Sequence, residues 1–338
     1  MRSKQFPLRL PFRLVMQFFR FFSSISPTFG REIALAVAIA LLGTLLSVAS
    51  PYFFTLNNIT TLMRASMELD VIAVGMTLVI IMGGIDVSVG GIVAVSAMVA
   101  GRAYQAGLGT FLVVPIVFLV GGALGAWNGF LCTVLRIPPI VATLGSTYLF
   151  SAIMFLVIGG QWITGLPNTL SPLVNGSVLG IPNAVFVVAA VYGLARLILQ
   201  GVPFGRHLYA IGCNEPAARL SGINVDRTKF LTYLLLGLLA GFAALLYVAR
   251  LRNVEINIGT SHALEAIAAT VLGGASIRGG VGSLSGTLMG VFFIRMIQNG
   301  LVLIWVSSLW ESVVIGGLLI FVLAIDGLRR PRQNAFAS

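Results

Sequence analysis

Between Ile33 and Asp326 the sequence keeps returning to apolar stretches separated by short polar breaks, each about the ~20 residues that a helix needs to cross a bilayer. Inside a bilayer every backbone N–H and C=O must be satisfied within the protein, which leaves helices or a closed β-barrel. A barrel would show segments of ~10 residues in strict alternation, whereas the runs Ile33 to Val48 and Phe230 to Val248 are apolar on every face. The expected fold is therefore all-α: a polytopic membrane protein. With 58% hydrophobic and 9% charged residues the chain cannot be an ordinary soluble domain, which carries roughly 25% charge. Its 39 glycines suit membrane helices, whose backbones approach closely through small residues.

Ten spans are expected, at 32–50, 62–82, 86–106, 109–134, 139–159, 181–200, 229–249, 261–275, 281–304 and 309–326. The eighth is too short to cross as a straight helix and reads as a half-helix or re-entrant segment. If the amino terminus is cytoplasmic, 16 of the 21 basic residues fall on the cytoplasmic side, four fall outside and Arg295 lies within a span. That asymmetry is the positive-inside pattern. It places both termini in the cytoplasm and assigns the +11 formal charge to orientation and an anionic inner leaflet, not to nucleic acid. The organisation is a basic segment 1–31, a transmembrane unit 32–328 containing a cytoplasmic loop at about 201–228, and a tail 329–338. Segment 1–31, with Arg9, Arg13 and Arg20 among Phe and Leu, is either an amphipathic helix lying on the membrane or a basic tail that sets orientation.

Two glycine-rich breaks stand out. The first, Gly83-Gly84-Ile85-Asp86-Val87-Ser88-Val89-Gly90-Gly91, lets the chain leave one helix, and Asp86 or Ser88 can cap the next. An intramembrane carboxylate such as Asp86 is also a candidate for binding an ion or a partner. The second runs from Gly273-Gly274 through Arg278 to Gly279-Gly280-Val281-Gly282-Ser283. Each follows the pattern acid-x-Ile-Ala, at Asp70 and at Glu265, which hints at a duplicated unit and a transport path.

In the loop, Asn214 suits an N-cap, Glu215 and Pro216 a first turn, and Gly222 a C′ position, so Ala217, Ala218, Arg219, Leu220 and Ser221 should form one short helix. That helix either closes the loop or serves as a knob for a cytoplasmic partner. Arg295 needs either a partner, for which a carboxylate such as Glu265 or Glu311 is a candidate, or water. Trp127, Asn128, Gln298 and Asn299 either line a path for a neutral, sugar-sized solute or make interhelical hydrogen bonds. The spans otherwise show no conspicuous cluster of charge. The two lysines, Lys4 and Lys229, do not follow glycine, so no nucleotide-binding P-loop exists in the sequence. The distant Cys132 and Cys213 imply neither a disulfide nor a metal site.

With these motifs in hand, and with the loop sequence Gly205-Arg206-His207-Leu208-Tyr209-Ala210-Ile211-Gly212, the chain from about 32 to 328 resembles the permease subunits of bacterial ATP-binding-cassette importers for monosaccharides, of the ribose/xylose/autoinducer-2 type. The segment Gly160-Gln161-Trp162-Ile163-Thr164-Gly165-Leu166-Pro167 looks most like the external loop of the autoinducer-2 members. Cys213 and Arg278 depart from the motifs, where small or neutral residues are commoner. The resemblance implies a non-enzymatic permease in the bacterial inner membrane, paired with a second permease subunit, a cytoplasmic ATPase that uses ATP and Mg, and a periplasmic sugar-binding protein. It implies that 214–223 is the coupling helix that docks into the ATPase. The glycine breaks are then expected to act as flexible joints while the helices rock between outward- and inward-facing states. The rival expectation is an ion-coupled carrier using Asp70, Asp86 or Glu265.

Overall fold

The structure is a computed structural model, and it describes residues 27–307 and 309–328. Segment 1–26 and tail 329–338, with the expected surface helix, lie outside the described residues. The chain forms α1 (Pro27–Ala49), α2 (Leu56–Ile81), α3 (Val89–Gln105), α4 (Thr110–Thr133), α5 (Pro139–Ile158) and a short α6 (Ser171–Asn175). A two-residue hairpin, β1 (Ser177–Val178) with β2 (Ile181–Pro182), leads into α7 (Asn183–Arg196), which continues as a π-turn to Gly201. There follow α8 (Pro203–Cys213), α9 (Glu215–Leu220), α10 (Val225–Leu251), α11 (His262–Leu272), α12 (Leu284–Leu303) and α13 (Leu309–Leu328).

A helix stands at each of the ten expected spans. Six described helices are long and apolar enough to cross a membrane: α1 from Gly30, α4, α5, α7 with its π-turn, α10 and α12. The eleven residues of α11 rise only about 16 Å, so the eighth expected span is a half-helix. One expectation about the loop is corrected: it holds two helices, not one. Pro203 starts α8 in a first-turn position, and Phe204, Leu208 and Ile211 repeat along one face.

The axis of the bundle is α2, in which every residue from Ser66 to Ile81 is buried. The most extensive packing is between α10 and α4. In lipid there is no hydrophobic drive to join two apolar helices, so close backbone approach must supply the attraction. Gly121 and Gly125 of α4 face Gly241 and Gly237 of α10 in antiparallel register. A Cβ on Gly125 would lie 2.8 Å from the Cα of Gly237, and one on Gly121 would lie 2.9 Å from the Cα of Gly241.

Candidate functional site

Both glycine breaks begin with the same helix stop. Gly83 and Gly274 take φ of +84° and +98°, the left-handed conformation that glycine adopts without steric cost. Gly83 N donates to Ile80 O and Gly84 N to Val79 O, each at 2.9 Å. In the second break Gly274 N donates to Val271 O and Ala275 N to Thr270 O, at 2.9 and 3.1 Å. Each is a Schellman ending, so the two acid-x-Ile-Ala helices terminate alike. They differ in length, because Asp70 precedes its left-handed glycine by one helical turn more than Glu265 does.

Beyond Gly83 the chain is fastened to α4. Ser88 donates through its N–H and its hydroxyl to Asp86 Oδ1, both at 2.7 Å. Asn128 Nδ2 donates to Asp86 Oδ2 at 3.0 Å and to Ser88 Oγ at 2.6 Å. All three residues are fully buried. Ser88 occupies the position ahead of α3 but makes no side-chain cap, which corrects that part of the sequence expectation. Gly90, at the start of α3, sits so close to Gly259 that a Cβ on either would overlap the other's carbonyl.

The other expected path residues are dispersed. Trp127 is half-exposed beside Phe130 on the outside of α4, and Asn128 turns inward to Asp86. Asn299 exchanges two amide hydrogen bonds with Asn58 of α2, each 2.9 Å. Gln298 donates to Glu265 at 3.2 Å and to Glu311, and accepts from Arg295 at 2.6 Å. Arg295 lies 3.4 Å from Glu265, so both carboxylates considered from sequence belong to one group around it.

The spans do contain a conspicuous set of buried charges, contrary to expectation. Besides Glu265 and Arg295, Arg250 pairs with the buried Glu68 at 2.6 Å, and the Tyr192 hydroxyl donates to Asp70 at 3.3 Å. Sequence showed the acids in α2 but could not show that α7 and α10 bring their partners. Among the described residues no group of three or more His, Cys, Asp or Glu side chains is arranged to hold a metal ion.

At the other end of the bundle, α9 forms as its caps demand. Asn214 Oδ1 accepts from Ala217 N at 3.0 Å, and Gly222 follows with φ of +81°. Glu215 bonds Arg219 at 3.0 Å and Lys229 at 2.7 Å, while Arg219 reaches Asp226 at 2.6 Å. These bonds tie α9 to the first turns of α10. Burial alone would raise the Glu215 carboxyl, but Lys229 and Arg219 outweigh it and hold it below its ordinary value. Leu220 is 91% exposed at the end of α9. Beside α9 a cleft of about 260 Å³ is bordered by Gly83, Gly84, Arg136, Glu215, Lys229 and Tyr233.

Comparison with known proteins agrees with this architecture. Residues 58–323 match the family described as branched-chain amino acid transport system / permease component. The chain is 37% identical over 301 residues to the autoinducer 2 import system permease protein LsrC of Klebsiella pneumoniae, covering 89% of this chain and 88% of that one. It is 36% identical over 303 residues to the ribose import permease protein RbsC of Escherichia coli, covering 88% and 93% of the two chains. The corresponding ribose permease of Haemophilus influenzae is 36% identical over 281 residues, or 82% and 87%. No solved structure matches the chain.

Proposed function

The chain belongs to the branched-chain amino acid transport system / permease component family, and on that premise we propose that it is the membrane-spanning subunit of an ATP-driven importer for a sugar-like solute. It is a permease component, not an enzyme, and its helices make it a membrane protein. The relatives named for ribose and autoinducer 2 support a small polyhydroxylated cargo. In this reading the protein sits in the bacterial inner membrane with both termini cytoplasmic. It works with a second permease subunit, a cytoplasmic ATPase that binds ATP and Mg, and a periplasmic binding protein that supplies selectivity.

The observation that carries this reading is α9. It is a short helix capped at both ends, held to α10 by ion pairs, and it presents Leu220 outward. Such a helix is a rigid knob, suited to receive force from a partner that the chain itself lacks. The binding protein delivers solute to the opposite face, nucleotide-driven closure of the ATPase moves α9, and the bundle changes its accessible side.

An ion-coupled carrier remains the rival because α2 buries a carboxylate, Asp70, whose hydrogen-bond donor is the neutral Tyr192. Asp86 and Glu265, in contrast, are held by several donors. Uptake of ribose and of autoinducer 2 into vesicles distinguishes the two. The importer requires ATP, the ATPase and the binding protein, and it tolerates an uncoupler when ATP is supplied. Uptake without any ATPase that collapses with the uncoupler establishes the carrier instead.

A further inference from the structure

The carboxyl-terminal end of α8, one residue ahead of α9, touches both glycine breaks at once. Gly280 N donates to the carbonyl of Ile81 at 2.8 Å, so the second break is bonded directly to the end of α2. Gly212 lies against this bond: a Cβ there would overlap both Ile81 O and Gly280 N. A Cβ on Gly279 would stand 2.8 Å from the Cα of Gly212 and 2.9 Å from the Cα of Gly83. The Tyr209 hydroxyl donates to Gly282 O at 2.9 Å, and the Cys213 thiol to Gly280 O at 3.8 Å. Three segments far apart in sequence thus meet backbone to backbone at Gly212, Gly83 and Gly279.

We propose that this junction is the transmission point of the transporter, with Gly212 as the positioning residue that makes α8, α9 and the near ends of both breaks move as one body. The inference rests on the proposed docking of an ATPase at α9. Interiors this tightly packed transmit displacement instead of absorbing it. Movement of α9 therefore reaches Gly83 and Gly279 together. Both breaks are clamped at this end. The flexible joints expected at the paired glycines become, at Gly83 and Gly279–Gly280, fixed attachments.

The test uses the complete transporter in proteoliposomes: this chain with the permease partner, ATPase and binding protein of its own system. ATP hydrolysis and solute uptake are measured on the same preparation. In Gly212→Ala the complex assembles and hydrolyses ATP, but uptake per ATP falls about tenfold. An unchanged ratio overturns the proposal.

A second variant guards against failure of the first to assemble. A Cβ on Gly280 would lie 2.8 Å from Cys213 Sγ, so Gly280→Cys can be closed onto the native Cys213 with diamide, which accepts the two thiol hydrogens. The reduced variant gives its own baseline. A junction that moves as one body keeps uptake within twofold of that baseline after oxidation. Arrest on oxidation, reversed by reductant, shows that the junction must open and overturns the proposal. Uptake by the unaltered chain without ATP overturns the importer reading and the coupling role together, and needs no substitution to be seen.

Discussion

Arg250 Nε donates to Glu68 Oε1 at 2.6 Å, joining the end of α10 to the buried middle of α2 across 182 positions of chain. The pair is unequal: the Arg250 side chain is one quarter exposed and rests near the Tyr247 ring, whereas Glu68 is 1% exposed.

Removing the two partners should therefore cost different amounts. Arg250→Ala strands a buried carboxylate and should destabilise the protein by about 3 kcal/mol. Glu68→Ala leaves an arginine that can reach solvent and should cost less, and the double variant should recover part of the loss. Thermal unfolding in detergent measures all three, and a larger loss in Glu68→Ala than in Arg250→Ala contradicts the assignment.

The contact of α4 with α10 predicts a contrast between two glycines in apolar helices. Gly125→Ala puts a methyl 2.8 Å from the Cα of Gly237, and should cost about 1–3 kcal/mol by forcing the helices apart. Gly145→Ala in α5 meets nothing within 4 Å and should be neutral or stabilise by up to about 1 kcal/mol. Melting temperatures of the two variants check this. Equal effects would mean that α4 and α10 are not in backbone contact.

Asp86→Ala removes the acceptor of both Ser88 donors and of Asn128, leaving buried polar groups unpaired at a cost of about 2 kcal/mol. Asp86→Asn keeps an acceptor oxygen and should lose less. If Asp86 only fastens the break, uptake should fall in proportion to the folded protein recovered in each variant. Full folding of Asp86→Asn with abolished uptake would assign the carboxylate a direct part in transport.

The brace on α9 should depend on pH in a definite direction. The Glu215 carboxyl is held below its usual 4.5, so its contribution is fully present above that value and is lost as the pH falls through the lowered one. Protease cleavage in the α9 to α10 connection should stay slow from neutral pH down to about 4.5 and quicken only below it. Glu215→Gln should cleave faster already at neutral pH and keep only the smaller acid transition that the Arg219–Asp226 pair carries. A transition above 4.5 would be inconsistent with Lys229 and Arg219 holding the carboxylate.

Much of this protein was legible one segment at a time. The apolar runs placed ten helices, the short run after Ser261 foretold a half-helix, and Asn214 with Gly222 bracketed α9. Each of these follows from interactions within a few residues: backbone groups that must pair internally in lipid, and caps that reach three or four positions. The second loop helix was missed because α8 owes its stability to Leu208 and Ile211 burying against the bundle, a contact that its own eleven residues do not contain.

The sequence also listed the polar residues of the spans without showing their partners. Asn128 turns to Asp86, Gln298 to Glu265 and Glu311, Arg250 to Glu68, and Tyr192 to Asp70. Thus the sequence by itself determined that the chain is a bundle of membrane helices with two glycine stops and a capped loop helix. The tertiary structure alone decided which charges neutralise one another and that Gly212, Gly83 and Gly279 meet at one point. Local conformation depends on neighbours along the chain. A pairing across 182 positions depends on how each helix is rotated about its axis, and only packing against the others sets that angle.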